Sequence, residues 1–267
     1  MTTRIAAIQM VSAPELAPNL ATAARLIGEA AAAGAGLVAL PENFYLIGRD
    51  ETDKLGLREQ DGVGPIQGCL AEAARRHRVW VVGGTTPIVC DDPARMRSAC
   101  LVFDAEGRRV ARYDKSHLFR VAVGDERHDE TRTLQPGDAG VALESPFGRL
   151  ALSICYDVRF PEMYRALGTF DIAFVPSAFT VPTGSAHWET LLRARAIENL
   201  AYVVAPAQGG RHPSGRRTYG HTMIVDPWGK VLAERAEGEG VVMADVDRGR
   251  LDEVRRTLPA LENRRTD

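Results

Sequence analysis

"LVFDAEGRRVARYD", residues 101–114, and "MIVDPWGKVLAE", residues 223–234, decide the fold class between them. Each reads as an apolar strand, an aspartate, a short turn closed by glycine, and a second strand opened by a basic residue. Asp104 and Gly107 correspond to Asp226 and Gly229, so the two segments repeat one pattern. Hairpins make antiparallel pairs, so a sheet that contains them is not purely parallel.

Around the hairpins, short apolar runs alternate with helical patterns. "RIAAIQMV" (4–11) and "LVAL" (37–40) read as strands that flank the helix "PNLATAARLIGEAAAAG", with Asn19 as N-cap and Gly34 just past its end. "GPIQGCLAEAARRHR" and "VWVVGG" repeat helix then strand. This is the rhythm of an α/β protein with mixed sheets. No G-x-G-x-x-G follows the first strand, which argues against a doubly wound dinucleotide fold. Without a low-complexity linker, residues 1–267 read as one domain. "RVAVGDERHDETRTLQPGD" (120–138) is the longest stretch without periodicity, and it is either mobile or functional. The charged tail "LENRRTD" reads as a solvated end or an arm on a partner subunit.

Composition excludes several classes. With 45% hydrophobic and 25% charged residues, the chain has the ordinary globular mixture and can bury a large core. A formal net charge of -2 gives no footprint for nucleic acid or an anionic membrane. No apolar run approaches the roughly 20 residues that cross a bilayer, and the N-terminus reads as a strand rather than a signal peptide. Cys69, Cys90, Cys100 and Cys155 form neither a C-x-x-C pair nor metal-type spacing, and the histidines are scattered. Free thiols in a reducing cytoplasm, with no metal, are the simplest expectation.

Three reactive residues share one local setting. Glu42 in "LPENF" stands just beyond "LVAL", Lys115 in "YDKSHLF" just beyond "RRVARYD", and Cys155 in "SICYDVRFPE" closes "RLALSIC". Sites gather beyond the carboxyl ends of strands in layered α/β proteins. A carboxylate can take the proton of a thiol, and a lysine can stabilise both the thiolate and an oxyanion. Pro161 and Gly168 bound a helix whose start would face the thiol. On these residues alone Cys155 stays either a buried strand-end thiol or a nucleophile, because spacing does not show that the three meet.

In these three motifs the sequence resembles the nitrilase superfamily of carbon–nitrogen hydrolases. The likeness runs from "IAAIQM" to "LPALENRR", and the motifs stand in the family's order. It implies a four-layer α-β-β-α sandwich, dimeric or larger. It also implies that Glu42 is the general base, that Lys115 stabilises the tetrahedral intermediate, and that Cys155 is acylated. The Tyr156 N–H then completes the oxyanion hole, and no metal, organic cofactor or catalytic histidine is needed. A second family glutamate falls on Glu130 in "DETRTLQPGD"; the preceding segment departs from the common pattern and leaves Glu126 as its rival.

"TGSAHWETLLRARAIEN" and "AQGGRHPSGRRTYGHTMIVDPWG" resemble the Nit branch. That branch includes omega-amidases acting on 2-oxoglutaramate and amidases that hydrolyse deaminated glutathione. "FYLIGRD" and the basic "GGRHPSGRR" loop look more like the second type, with the loop facing the carboxylate of a leaving dipeptide or merely exposed. Arg159 is the candidate clamp for a 2-oxo acid. Tyr45, Phe179 and Thr180 are candidate pocket residues, while His187 and Trp188, opening the helical stretch "HWETLLRARAIEN", read as structural. A nitrilase, a carbamoylase and a non-catalytic binding protein on the same fold are the other readings.

Overall fold

The computed structural model describes residues 2–123 and 126–265, with the backbone alone for Val123 and Glu126. The chain runs β1 (Thr2–Gln9), α1 (Leu16–Ala32), β2 (Leu37–Ala39), α2 (Pro65–His77), β3 (Trp80–Val82), β4 (Thr86–Val89), β5 (Met96–Phe103) and β6 (Arg109–Asp114). A small hairpin, β7 (Arg120–Val123) and β8 (Glu126–Asp129), follows. Then come β9 (Val141–Ser145), β10 (Gly148–Leu152), α3 (Pro161–Ala166), β11 (Ile172–Phe174), α4 (Val181–Asn199) and β12 (Tyr202–Ala205). The last part holds the hairpin β13 (Gly209–Arg211) and β14 (Arg217–Tyr219), then β15 (Thr222–Val225), β16 (Val231–Arg235), β17 (Gly240–Asp247) and α5 (Arg248–Thr257).

Two mixed sheets result. The first has the order β17-β1-β2-β3-β5-β4 with β6 paired to β5; the second runs β16-β15-β12-β11-β10-β9. Strands β1, β2 and β3 are parallel to one another, as are β10, β11 and β12. The hairpins add the antiparallel pairs.

The alternation of side chains along a strand explains the layering. Ile5 and Ala7 of β1 enter the core shared with the second sheet, whereas Ala6 and Ile8 enter a separate core with Leu26, Ile27 and Leu70 of α1 and α2. Trp188, Leu192 and Ala196 of α4 cover the outer face of the second sheet. The layers are therefore helix, sheet, sheet, helix, a four-layer α-β-β-α sandwich.

The repeated pattern is a repeated structure. In one turn Gly107 N–H donates to the Asp104 carbonyl at 2.9 Å, and in the other Gly229 N–H donates to that of Asp226 at 2.9 Å. Asp104 Oδ1 accepts from Glu106 and Arg108 N–H, and Asp226 Oδ1 from Trp228 and Lys230 N–H. Both glycines have left-handed φ, 77° and 82°, and each hairpin has a register shift at its turn end.

Two local expectations change. Asn19 does not cap α1: its amide lies inside the helix and bonds Ala13 and the Tyr45 carbonyl instead. Helix α4 starts at Val181 rather than at His187, with Pro182 in the first turn, where its missing N–H costs nothing. In the charged tail residues 262–265 are exposed; Thr266 and Asp267 lie outside the described residues. No helix among the described residues is long and apolar enough to cross a membrane.

Candidate active site

Four strand ends of the two sheets meet where the sequence placed its reactive residues. Glu42 follows β2 in a turn whose next residue, Asn43, has φ 54°, a conformation asparagine tolerates. Asn43 N–H donates to Thr85 Oγ1 at 2.8 Å, and Gln208 Nε2 donates to the Glu42 carbonyl at 3.2 Å. The turn is thereby fixed with the Glu42 side chain inward. Its Oε2 accepts from Ala178 N–H at 3.0 Å, beyond β11 of the other sheet.

Lys115 follows β6. Its N–H donates to the Ser98 carbonyl at 2.9 Å, and its carbonyl accepts from Gly137 N–H at 2.8 Å. A Cβ on Gly137 would lie 2.2 Å from the Asp114 carbonyl oxygen, so this close approach requires glycine. Glu130 opens a 3-10 turn, Glu130–Arg132, and its Oε2 accepts from Phe119 N–H at 2.6 Å. Cys155 opens another, Cys155–Arg159, just past β10. Its φ of 50° is strained for a residue with a Cβ, and Cys155 N–H donates to the Pro176 carbonyl at 2.9 Å, which helps hold it there. The expected helix start at Pro161 belongs to α3, a separate short element; the N–H groups beside the thiol belong to the 3-10 turn.

Lys115 Nζ donates to Glu42 Oε1 at 2.8 Å and to Glu130 Oε1 at 2.8 Å. Lys115 is 1% exposed and Glu42 3%. Burial alone would favour the neutral amine, but Glu130 and Glu42 reverse that and hold Lys115 well above its ordinary value. Burial raises the Glu130 carboxyl against the pull of Lys115. It also pushes the Cys155 thiol well above its ordinary value; the Glu42 charge adds to this and Lys115 opposes it. The resting thiol is therefore protonated and needs a proton acceptor to become a nucleophile. Glu126 opens β8, but its side chain lies outside the described residues.

Asp157, fully buried, ties the thiol segment to the lysine segment. Its Oδ2 accepts from Tyr113 Oη–H at 2.7 Å and Ile154 N–H at 2.8 Å. Its Oδ1 accepts from His117 N–H at 3.1 Å and bonds His117 Nδ1 at 2.7 Å. Tyr113 and His117 flank Lys115, and Ile154 precedes Cys155.

A cavity opens above Cys155. Glu42 and Glu130 line its floor; Phe119, Tyr156 and Phe179 make aromatic walls, with Thr180 beside them. Lys115 lies beneath this surface. Tyr45 does not reach the cavity: it is buried behind it, where burial and then the charges of Glu51, Glu42 and Glu130 raise its phenol well above the ordinary range. Arg159 lies over the rings of Phe179 at 5.6 Å and Tyr156 at 5.9 Å, and its Nη2 bonds His187 Nδ1 at 3.2 Å. It supports two wall residues from outside the lining. Trp188 packs on Phe179 with ring centroids 4.7 Å apart.

Sequence reasoning did not find the far wall. Glu51 bonds Lys54 Nζ at 2.8 Å and Arg216 Nη1 at 3.0 Å, with His128 Nδ1 3.8 Å away. The Lys54 ammonium above all holds the Glu51 carboxyl well below its usual range, against the effect of burial. The spacing of Glu51 and Lys54 was a visible sign of pairing, but nothing in it shows burial. His128 and Arg216 lie within the aperiodic stretch and the basic loop already singled out. Of that loop, Arg216 alone lines the cavity, while Arg211 and Arg217 are exposed. Among the described residues, no group of three or more His, Cys, Asp or Glu side chains could hold a metal ion.

Known proteins share this arrangement of chain. A deaminated glutathione amidase of Synechocystis is 43% identical over 265 residues, covering 97% of each chain. The crystal structure of the C. elegans NitFhit protein superposes with a TM-score of 0.89 at 38% identity, over 99% of this chain and 65% of that longer one. Saccharomyces cerevisiae Nit3, a nitrilase-superfamily member, superposes with a TM-score of 0.86 at 29% identity, over 99% and 97% of the two chains. Residues 4–256 match the carbon-nitrogen hydrolase family, and with the sandwich fold and the relatives this means that the chain belongs to that family.

Proposed function

We propose that the protein is a cysteine amidase that hydrolyses deaminated glutathione to 2-oxoglutarate and cysteinylglycine through a thioester. The observation that carries this reading is Lys115 held between Glu42 and Glu130 beside the buried Cys155. The Synechocystis relative supports the choice of substrate.

Cys155 Sγ attacks the amide carbonyl as Glu42 accepts the thiol proton. The Lys115 ammonium and the Tyr156 N–H, which lies ahead of the turn's closing Asp157-to-Ile154 bond, face the oxyanion. The C–N bond breaks as Glu42 returns the proton to the leaving amine. Glu42 then takes a proton from water, whose oxygen attacks the thioester, and the acid leaves as Cys155 regains its proton. Glu130 fixes Lys115 from its other side. Tyr156, Phe179 and Thr180 form the walls against the acyl chain, with Arg159 and Tyr45 behind them.

Residues 1–267 act as one domain, since a single core draws on both sheets. The free cysteines suit a reducing cytoplasm. Exposed Ile197, Trp228 and Leu258 suit a homodimer or larger homo-oligomer. A compact cleft above Cys155 also favours a second reading, an omega-amidase releasing ammonia from 2-oxoglutaramate.

The test is a parallel assay of 2-oxoglutarate release from the two substrates. A higher kcat/KM for deaminated glutathione is expected. A preference for 2-oxoglutaramate would replace the reading by the second, and silence on both would point to another amide. Cys155→Ala is expected to fold normally and release no product.

A further inference from the structure

Beyond the far wall of the catalytic cavity lies a second cavity. Glu51, His128 and Arg216 line both, so the two spaces meet across one partition. The outer space is basic: Arg49, Arg127 and Arg132 join Arg216 in its wall, against the acids Asp50, Glu51 and Asp129.

Most of those acids are already engaged. Glu51 holds Lys54 and Arg216. Asp129 Oδ1 accepts from Thr131 N–H at 3.1 Å and from its hydroxyl at 2.5 Å, with Arg120 Nε 3.5 Å away. Arg49 and Arg132 are exposed and make no ion pair with another described residue. Among the described residues Asp50 forms no ion pair and offsets part of this charge, but four arginines against three carboxylates leave the wall positive. Arg132 adds to the positive field that lowers the Asp129 carboxyl, but among the described residues neither it nor Arg49 forms an ion pair, and two such exposed arginines beside a reaction cavity are suited to a carboxylate supplied by a ligand.

The geometry points to a leaving-group subsite in this vestibule, in which Arg49 and Arg132 hold the terminal carboxylate of a peptide-like amine while the acyl half lies over Cys155. The inference rests on the amidase reading above. It narrows the substrate class to amides whose leaving amine carries a carboxylate several bonds from the scissile nitrogen. Ammonia leaving from 2-oxoglutaramate cannot span the partition, so that substrate does not use the subsite.

The test compares kcat/KM for deaminated glutathione, its C-terminal carboxamide and 2-oxoglutaramate, in the wild type and in Arg49→Gln/Arg132→Gln. Losing a charge-assisted pair should lower the ratio of deaminated glutathione to 2-oxoglutaramate roughly tenfold in the double variant, mainly through KM. The wild type should lose a similar factor on the carboxamide, and the double variant should treat carboxylate and carboxamide alike. A wild type active on both natural-type substrates, with an unchanged ratio in the variant, would overturn the subsite alone. A wild type that cleaves 2-oxoglutaramate but not deaminated glutathione would overturn the substrate reading and the subsite together.

Discussion

Replacing Asp157 by asparagine tests how the site is assembled without touching a residue of the cavity. The carboxylate accepts two hydrogen bonds on each oxygen, from Tyr113 and Ile154 on one and from His117 on the other. Asparagine keeps one oxygen and turns the other into a donor. Whichever way the amide lies, a main-chain N–H, of Ile154 or of His117, then faces an NH2 group. Leaving such a donor unsatisfied costs about 1–3 kcal/mol, and the surviving bonds weaken by about 1 kcal/mol each when the acceptor loses its charge. The expected loss is therefore about 3–4 kcal/mol of unfolding free energy, read by urea denaturation. Because the lost bonds join the Cys155 turn to the Lys115 segment, the two drift apart. Misplacement of reacting groups by about 1 Å can cost on the order of 100-fold, so kcat should fall by about 10- to 100-fold with KM little changed. A variant within about 0.5 kcal/mol of wild-type stability and with unaltered kcat would refute this role, since that is the range of an ordinary surface substitution.

Two further substitutions probe the buried charges. Lys115→Met leaves Glu42 and Glu130 facing each other without a cation, and should cost about 3–5 kcal/mol. Lys115 is held above the ordinary lysine value of 10.5 in the folded protein, so its contribution is fully present below that pH and is lost only as pH rises through the folded value. The gap between variant and wild type should thus stay constant from neutral pH to about 10; a gap that closes near neutrality would contradict the assignment. His212 is buried, with its Nδ1 3.0 Å from the Ser12 carbonyl and its Nε2 2.8 Å from Thr218 Oγ1. Burial, aided by the Arg216 charge, lowers its pKa from 6.5 to about 4. The unfolded chain takes that proton first, so stability falls with pH between these values, by about 2 kcal/mol at pH 5. A His212→Gln variant should lose this part of the acid slope, and parallel curves for the two proteins would refute it.

The motifs were legible because they are local. Asp104 and Asp226 build the same turn from the same few residues, so a repeated pattern in sequence became a repeated hairpin in space. Glu42, Lys115 and Cys155 each stand just past a strand, β2, β6 and β10 in turn, so their places beside strand ends were visible, and Lys115 on the antiparallel strand β6 reaches Glu42. What the sequence could not convey depends on tertiary neighbours. Asn19 looks like a cap, but the Tyr45 carbonyl and Ala13 take its amide. The place of Arg159 beside the thiol is visible in the sequence, but the position of its guanidinium over Phe179 and Tyr156 is not. Arg216 lies far in sequence from Glu51 and Lys54, and no period or motif marks its meeting with that pair.

The central claim is acylation of Cys155, and rapid-quench intact-protein mass spectrometry during turnover of deaminated glutathione tests it most directly. The account predicts a transient increment of one 2-oxoglutaryl group per chain, mapped to the peptide holding Cys155 and absent in Cys155→Ala. Product formation with no adduct at any time, together with turnover by Cys155→Ala, would contradict it.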